Sequence, residues 1–489
     1  MIKFTLLLAI IWQLILYFRF PGFIWEDAFV MSWFTDKGLK FYQDFDGGRY
    51  FPFLKLVMIP IDKMTNWDVN TTIVLGLILA FCAILLIYHI SKRLSEAQFI
   101  SLTFFTIWFG FILRQNTFEV NLFLGLLMLI DIFLFYKWLE NPKKELVFLI
   151  GFVSSVAVFS EQIALVFTTI LFFLIIIYSK ISKFNSQSAE VYKIILPFVF
   201  GFILIPIPMI LWFYSQGLID QFIQQNILYY INGSGYPFNK SFPQNYMLML
   251  FFINIPFILL TIRLLNKQKM ALIKKGDKNT WQEIVIWFFL LTSIIITLIA
   301  VLHPRRFLLI LPVLSILSEI EYQRIKVAGK FYKLIAILLV LAFSIYSITT
   351  IIPWYKDALT KGRQFAIYNL HHPGDNGYEA IDWIKTNTNP QTRIFSFETM
   401  IVYFEADRLP IINRTYILPW AFEPFDEMKV LLEKEKADYW LVDENHFTRF
   451  KSLGYGYQSN YIRSYLDKYY TRVQSFGWAS IYALKTNNI

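Results

Sequence analysis

The chain has 489 residues, of which 56% are hydrophobic, 19% aromatic and only 16% charged, with a formal net charge of +10. A soluble domain carries about a quarter charged residues, so a wholly soluble enzyme is excluded, and the 51 Phe exclude a disordered chain. One cysteine, Cys82, cannot build a disulfide scaffold or a cysteine-based metal site within one chain.

A helix crosses a bilayer core with about 20 apolar residues. Apolar stretches predict spans near 4–18, 69–90, 98–113, 118–136, 146–159, 162–178, 194–214, 246–262, 284–302, 307–318 and 334–352. The first begins with one lysine and an apolar core, but Arg19-Phe20-Pro21 is a poor peptidase site, so it reads as an uncleaved helix. The stretch 51–61 is too short to span and reads as interfacial or re-entrant. Prolines interrupt the seventh span (Pro197, Pro206, Pro208) and the eighth (Pro256).

Basic residues set the orientation. Alternate loops collect Lys92 and Arg93, Lys143 and Lys144, Lys180 and Lys183, Lys274 and Lys275, and Arg324 and Lys326. Beyond the first loop, the connections on the other side hold only Arg114, Lys240, Arg305 and Arg306. This predicts a multi-pass protein of the cell membrane with a cytoplasmic N-terminus. An odd number of spans then puts the loops 19–68 and 215–245 outside, together with the C-terminal domain.

The tail differs in kind. Residues 354–489 hold 16 basic and 16 acidic side chains, so the entire net charge belongs to residues 1–353. That argues against a nucleic-acid partner and for basic loops against anionic membrane lipids. Tyr378 to Lys385 has helical spacing, 393–397 and 439–442 read as strands, and Glu423 to Lys436 as an amphipathic helix. The expected fold is mainly α: a polytopic membrane helix bundle of about 11 spans (1–353) with a small extracytoplasmic α/β domain (354–489).

Chemistry concentrates on the predicted outer face. The first outer loop carries Trp25-Glu26-Asp27-Ala28-Phe29, then Gly38, then Tyr42-Gln43-Asp44-Phe45-Asp46, then Phe51-Pro52-Phe53-Leu54-Lys55. Burial raises a carboxylate pKa and a neighbouring cation lowers it, so this loop offers a base at the membrane surface; acids in any polar outer loop are also common. Arg114 to Glu119, Ser160-Glu161-Gln162 and His303-Pro304-Arg305-Arg306 join spans on the same face. Guanidinium groups bind phosphate in a fork geometry, and snorkelling to lipid headgroups is the competing reading of Arg305 and Arg306. His303 alone gives no ligand set. Asp131, mid-span, reads as a buried partner for a polar neighbour. The chain has no Gly-rich phosphate loop, no paired-helix zinc motif and no Gly-x-Ser-x-Gly elbow.

The chain resembles the multi-spanning C-type glycosyltransferases that use a polyprenyl-phosphate-linked sugar, such as protein O-mannosyltransferases and aminoarabinose transferases. Glu26-Asp27-Ala28 is similar to the acidic pair that opens that family's first outer loop, and Gly38 to Phe45 and Pro52-Phe53-Leu54 resemble the later part of the same loop. Asn116 to Val120 is similar to the second-loop motif, and His303 to Pro312 to a basic, proline-containing segment before a late span. The sequence departs from the family in the order Glu26 then Asp27, in Glu119 where Asp is common, and in lacking a Lys-Pro-Pro signature.

The resemblance implies an inverting transfer to an acceptor hydroxyl of a glycan, lipid or protein. Asp27 or Glu26 would be the base, and Arg305, Arg306, His303 and Lys55 would bind the donor, with Asp44 also at the site. Glu119 would orient the acceptor or hold a divalent ion; no cofactor is required. Two rival readings stand beside it: a flippase or transporter of a lipid-linked glycan that breaks no bond, and a non-catalytic scaffold.

Overall fold

A computed structural model describes residues 2–20, 26–45, 51–94, 118–181, 192–228, 267–299, 307–327, 377–397, 399–411, 425–452, 454–477 and 479–485, with isolated positions within 102–105, 261–265 and 345–360 and at 415. In chain order the helices are α1 (Ile2–Arg19), α2 (Glu26–Asp36), α3 (Phe53–Met64), α4 (Asn70–Leu94), α5 (Val120–Glu140), α6 (Lys144–Ser160), α7 (Ala164–Ile181), α8 (Tyr192–Ile203), α9 (Pro206–Ser215) and α10 (Ile219–Ile223). A π-helical turn, Gln224–Leu228, comes next, then α11 (Lys267–Lys274), α12 (Lys278–Ile299) and α13 (Phe307–Val327). The tail forms α14 (Gly377–Asn387), β1 (Ile394–Phe397), α15 (Ile401–Ala406), α16 (Phe425–Lys434), β2 (Tyr439–Asp443), α17 (Glu444–Ser452), α18 (Gly456–Tyr469), β3 (Tyr470–Phe476) and β4 (Ala479–Leu484).

Among the described residues four helices are long and apolar enough to cross a membrane: Asn70–Lys92, Val120–Glu140, Ala164–Ile181 and Tyr192–Ser215. The spans expected near 98–113, 246–262 and 334–352 fall largely outside the described residues. The stretch expected to be too short forms α3, twelve residues and about 18 Å long. The proline-rich span breaks at Leu204–Ile205, between α8 and α9, because Pro206 and Pro208 lack the amide hydrogens that would continue the ladder.

The chain forms two compact units. The first comprises Met1–Arg19, Ile73–Leu211 and Ser241–Ile352. Connections of three residues, 141–143 and 161–163, make α5, α6 and α7 successive antiparallel neighbours. Asp131, fully buried on α5, accepts a 2.8 Å hydrogen bond from Ser154 of α6, the polar neighbour a buried carboxyl requires. Where α6 crosses α8, Gly151 lies against the Phe198 carbonyl and Gly201 against that of Phe148, each too close for a Cβ. Ser155 donates to the Phe202 carbonyl at 2.5 Å. Small residues four apart let helix backbones meet where lipid supplies no hydrophobic drive.

The second unit comprises Phe20–Thr72, Trp212–Lys240 and Pro353–Ile489. Its sheet has the order β1-β2-β4-β3, parallel between β1 and β2 and antiparallel elsewhere. Phe395, Trp440, Tyr465 and Phe450 fill the core beside it. The first-loop helices pack on the same body. Phe404 of α15 stands edge-on to Phe29 and Trp33 of α2 at 4.8 and 5.7 Å, and Lys37 pairs with Asp407 at 3.0 Å. Tyr42 packs on Phe213, and Phe51 on Phe222.

Candidate functional site

In the first unit, helix directions decide which residues share an end. The α5 residue Tyr136 donates to the Gln282 carbonyl near the start of α12 at 3.0 Å, and Lys278 reaches the Glu140 carbonyl. Tyr178 and Phe167 of α7 meet Trp281 and Phe289 of α12 in reversed order. So α12 runs antiparallel to α5 and α7 and ends where they begin. Glu119, Ser160 and Glu161 therefore lie at one end of this unit, with the last turn of α12. Tyr17, in the last turn of α1 and fully buried, interacts electrostatically with Glu119 and brings the end of α1 to the same place.

Glu119 is 2% exposed and caps α5. Its Oε2 accepts the amide N–H groups of Asn121 and Leu122 at 2.5 and 3.1 Å, and its Oε1 accepts the Asn121 side chain at 2.7 Å. An acid at this position offsets the positive helix end and satisfies otherwise orphaned amides. Glu161 caps the C-terminus of α6 through its own amide on Ala157 and is 3% exposed. Two carboxylates and a tyrosine hydroxyl thus sit buried at one end, and water is kept from them.

In the second unit, Glu26 and Asp27 open α2; their side chains lie outside the described residues, as do His303, Arg305 and Arg306. Lys55 lies on α3 and is 1% exposed, and a buried ammonium is stable only beside anionic or hydrogen-bonding partners. Asp44 is half-buried in the turn after α2, where its carboxylate accepts the Lys40 amide at 2.8 Å and its own amide returns to the Lys40 carbonyl. Tyr42 in that turn takes φ +62°, and Gln225 donates to its carbonyl at 3.2 Å. Among the described residues no three His, Cys, Asp or Glu side chains gather as a metal-ligand set.

One group escapes the sequence reading. Asp62, two turns beyond Lys55 on the buried face of α3, has no exposure and accepts the Ser32 hydroxyl of α2 at 2.5 Å. Burial pushes its carboxyl up to about 7, against the opposing hydrogen bond from Ser32. Its only signal in the sequence is an acid at the end of the apolar run 51–61.

No protein-family model and no curated protein matches the chain. Its fold does match solved structures along nearly its whole length. One is ArnT from Cupriavidus metallidurans bound to undecaprenyl phosphate, at TM-score 0.58 and 11% identity, covering 99% of this chain and 98% of that one. Another is the oligosaccharyltransferase AglB from Archaeoglobus fulgidus in complex with an inhibitory peptide and a dolichol-phosphate, at TM-score 0.53 and 13% identity, covering 99% and 74%. A third, an oligosaccharyltransferase from the same organism tethered to an acceptor peptide, aligns at TM-score 0.53 and 13% identity over the same shares. The resemblance to C-type multi-spanning glycosyltransferases therefore holds at the level of the fold; a fold by itself does not fix an activity.

Proposed function

We propose that the protein is an integral-membrane glycosyltransferase that moves a sugar from a polyprenyl-phosphate donor to an acceptor hydroxyl on the outer face of the membrane, with inversion. The observation that carries this reading is the end of the first unit where Tyr17, Glu119 and Glu161 lie. Helix α12 ends at Ile299 at that same end, and the sequence that follows it carries His303, Arg305 and Arg306. Further support comes from the whole-chain fold likeness to ArnT and AglB, whose structures hold undecaprenyl phosphate and dolichol-phosphate.

In this reading the acceptor oxygen attacks the anomeric carbon while the bond from that carbon to the phosphate oxygen breaks. Asp27 or Glu26 takes the hydroxyl proton. Arg305 and Arg306, helped by His303 and Lys55, stabilise the charge that develops on the departing lipid phosphate. Glu119, fixed by its helix amides, orients the acceptor, and Asp44 contributes to substrate binding. Holding both substrates together supplies the orientation term. The N-terminus is cytoplasmic and the C-terminal domain extracytoplasmic, with about eleven spans in the cell membrane.

The test is direct. Purified protein is incubated with a radiolabelled polyprenyl-phosphate sugar and candidate acceptors, and lipid and aqueous phases are counted. Label leaving the lipid for the acceptor supports transfer. Label that stays on lipid while the donor still binds returns the flippase reading. Full turnover by both Asp27→Asn and Glu26→Gln removes the assignment of the base.

A further inference from the structure

From the opposite end of the first unit an open groove of about 720 Å³ runs along the α8–α9 pair, with the first turns of α6 as its other wall, a size within the usual range of small-molecule sites. Phe148, Leu196, Phe200, Leu204 and Ile207 form its walls. Phe200 is 57% exposed, so the walls face outward from the bundle. Along α8 and α9 the groove extends from Tyr192 to Pro208, about 24 Å at helical rise, against about 15 Å for one leaflet's hydrocarbon.

The groove is not uniform in charge. Lys144 opens α6 and Lys193 stands in the first turn of α8; both line it. The two helices run in the same direction, since Gly151 meets Phe198 and Ser155, one turn on, meets Phe202. Both lysines therefore lie at one end, the end away from Glu119 and Glu161. Among the described residues, Glu140 and Glu145 line a separate cavity with Lys137 and Lys143. Lys144 shares the first turn of α6 with Glu145, whereas the first turn of α8 holds Lys193 and no acid.

We infer that this groove is a binding site for an anionic phospholipid: its phosphate lies between Lys144 and Lys193, and one acyl chain runs along Phe148, Leu196, Phe200 and Leu204. The lipid comes from the leaflet opposite the Glu119 end. A neutral headgroup lacks the net charge that two lysines select, and a soluble phosphate leaves the apolar walls bare.

The full-length protein in detergent is titrated with dioleoyl phosphatidylglycerol or dioleoyl phosphatidylcholine, and bound lipid is counted by native mass spectrometry. Phosphatidylglycerol is expected to bind preferentially. The Lys144→Ala/Lys193→Ala double variant should weaken it about 30-fold, as expected for two basic contacts at a membrane surface. Leu196→Trp, which fills the groove and keeps both lysines, should weaken it as well. Lys180→Ala/Lys274→Ala should leave it unchanged. Equal phosphatidylglycerol binding by the double variant overturns the site. Phosphatidylcholine binding as tightly does the same, and so does displacement of phosphatidylglycerol by a lower concentration of undecaprenyl phosphate. Because the readout is bound mass and not turnover, the outcome is independent of the transferase reading.

Discussion

At the residue scale, Glu119 and Asp62 show how burial assigns work to a carboxylate. Glu119 holds two α5 amides and the Asn121 side chain. Glu119→Ala is expected to cost about 1 kcal/mol, the usual worth of an N-cap, and to speed hydrogen exchange at the amides of Asn121 and Leu122. Glu119→Asp, itself a strong capping residue, should restore most of that protection. An unchanged exchange rate in Glu119→Ala would show that the cap is not rate-determining for that turn. Asp62 has the opposite economy: desolvation holds its carboxyl at about 7 in the folded protein, against about 3.9 unfolded. A raised acid pKa means that the folded state binds the extra proton. Its contribution is therefore full below about pH 4 and is lost as pH rises through about 7. Asp62→Asn should remove this slope and stabilise the α2–α3 pair at pH 8 by on the order of 3–4 kcal/mol. The measurement is the difference between variant and parent in α2–α3 amide protection, corrected for intrinsic rates, at pH 5 and pH 8. A difference that does not grow with pH would refute the buried-acid account.

At the scale of elements, the crossing of α6 and α8 depends on two missing side chains. A Cβ on Gly151 would strike the Phe198 carbonyl oxygen, which is backbone and cannot swing away. Gly151→Val is expected to push the helices apart, break the Ser155 bond to Phe202 and cost about 1–3 kcal/mol, the range for overpacked sites. Thermal unfolding of the purified variant in detergent reads this directly; an unshifted midpoint would mean that the crossing adapts. Gly151→Ser, the conservative change, still adds a Cβ and should also destabilise, by less. Separation at this crossing also widens the groove that begins at Lys144, so lipid binding and helix packing are linked through the same pair of elements.

At the scale of the whole molecule, the first-loop helices belong to the unit that contains the C-terminal sheet, joined by Phe29, Trp33 and Phe404 and by Lys37 with Asp407. The acids that open α2 are therefore carried on a body that includes the tail. In the proposed transferase, Asp27→Asn is expected to lower turnover about 10²- to 10⁴-fold, the usual share of a general base. Arg305→Ala is expected to lower it about 10²- to 10³-fold through lost charge stabilisation. Both are read by the same label-transfer assay.

The apolar runs in the sequence were enough to place helices at 118–136, 146–159, 162–178 and 194–214, and short runs rich in aromatic and β-branched residues located β1 and β2, because both signals are local. The break in the 194–214 span came from prolines alone. What periodicity cannot carry is contact between distant residues. The burial of Asp62 under Ser32, the close crossing at Gly151 and Gly201, and the packing of Phe404 on α2 join segments far apart in the chain. The order of spans already put Glu119 and Glu161 on one face; what it could not show is the buried Tyr17 interacting with Glu119. Side-chain chemistry along the chain determined which groups were available, and non-local packing decided which of them are buried, partnered and able to act together.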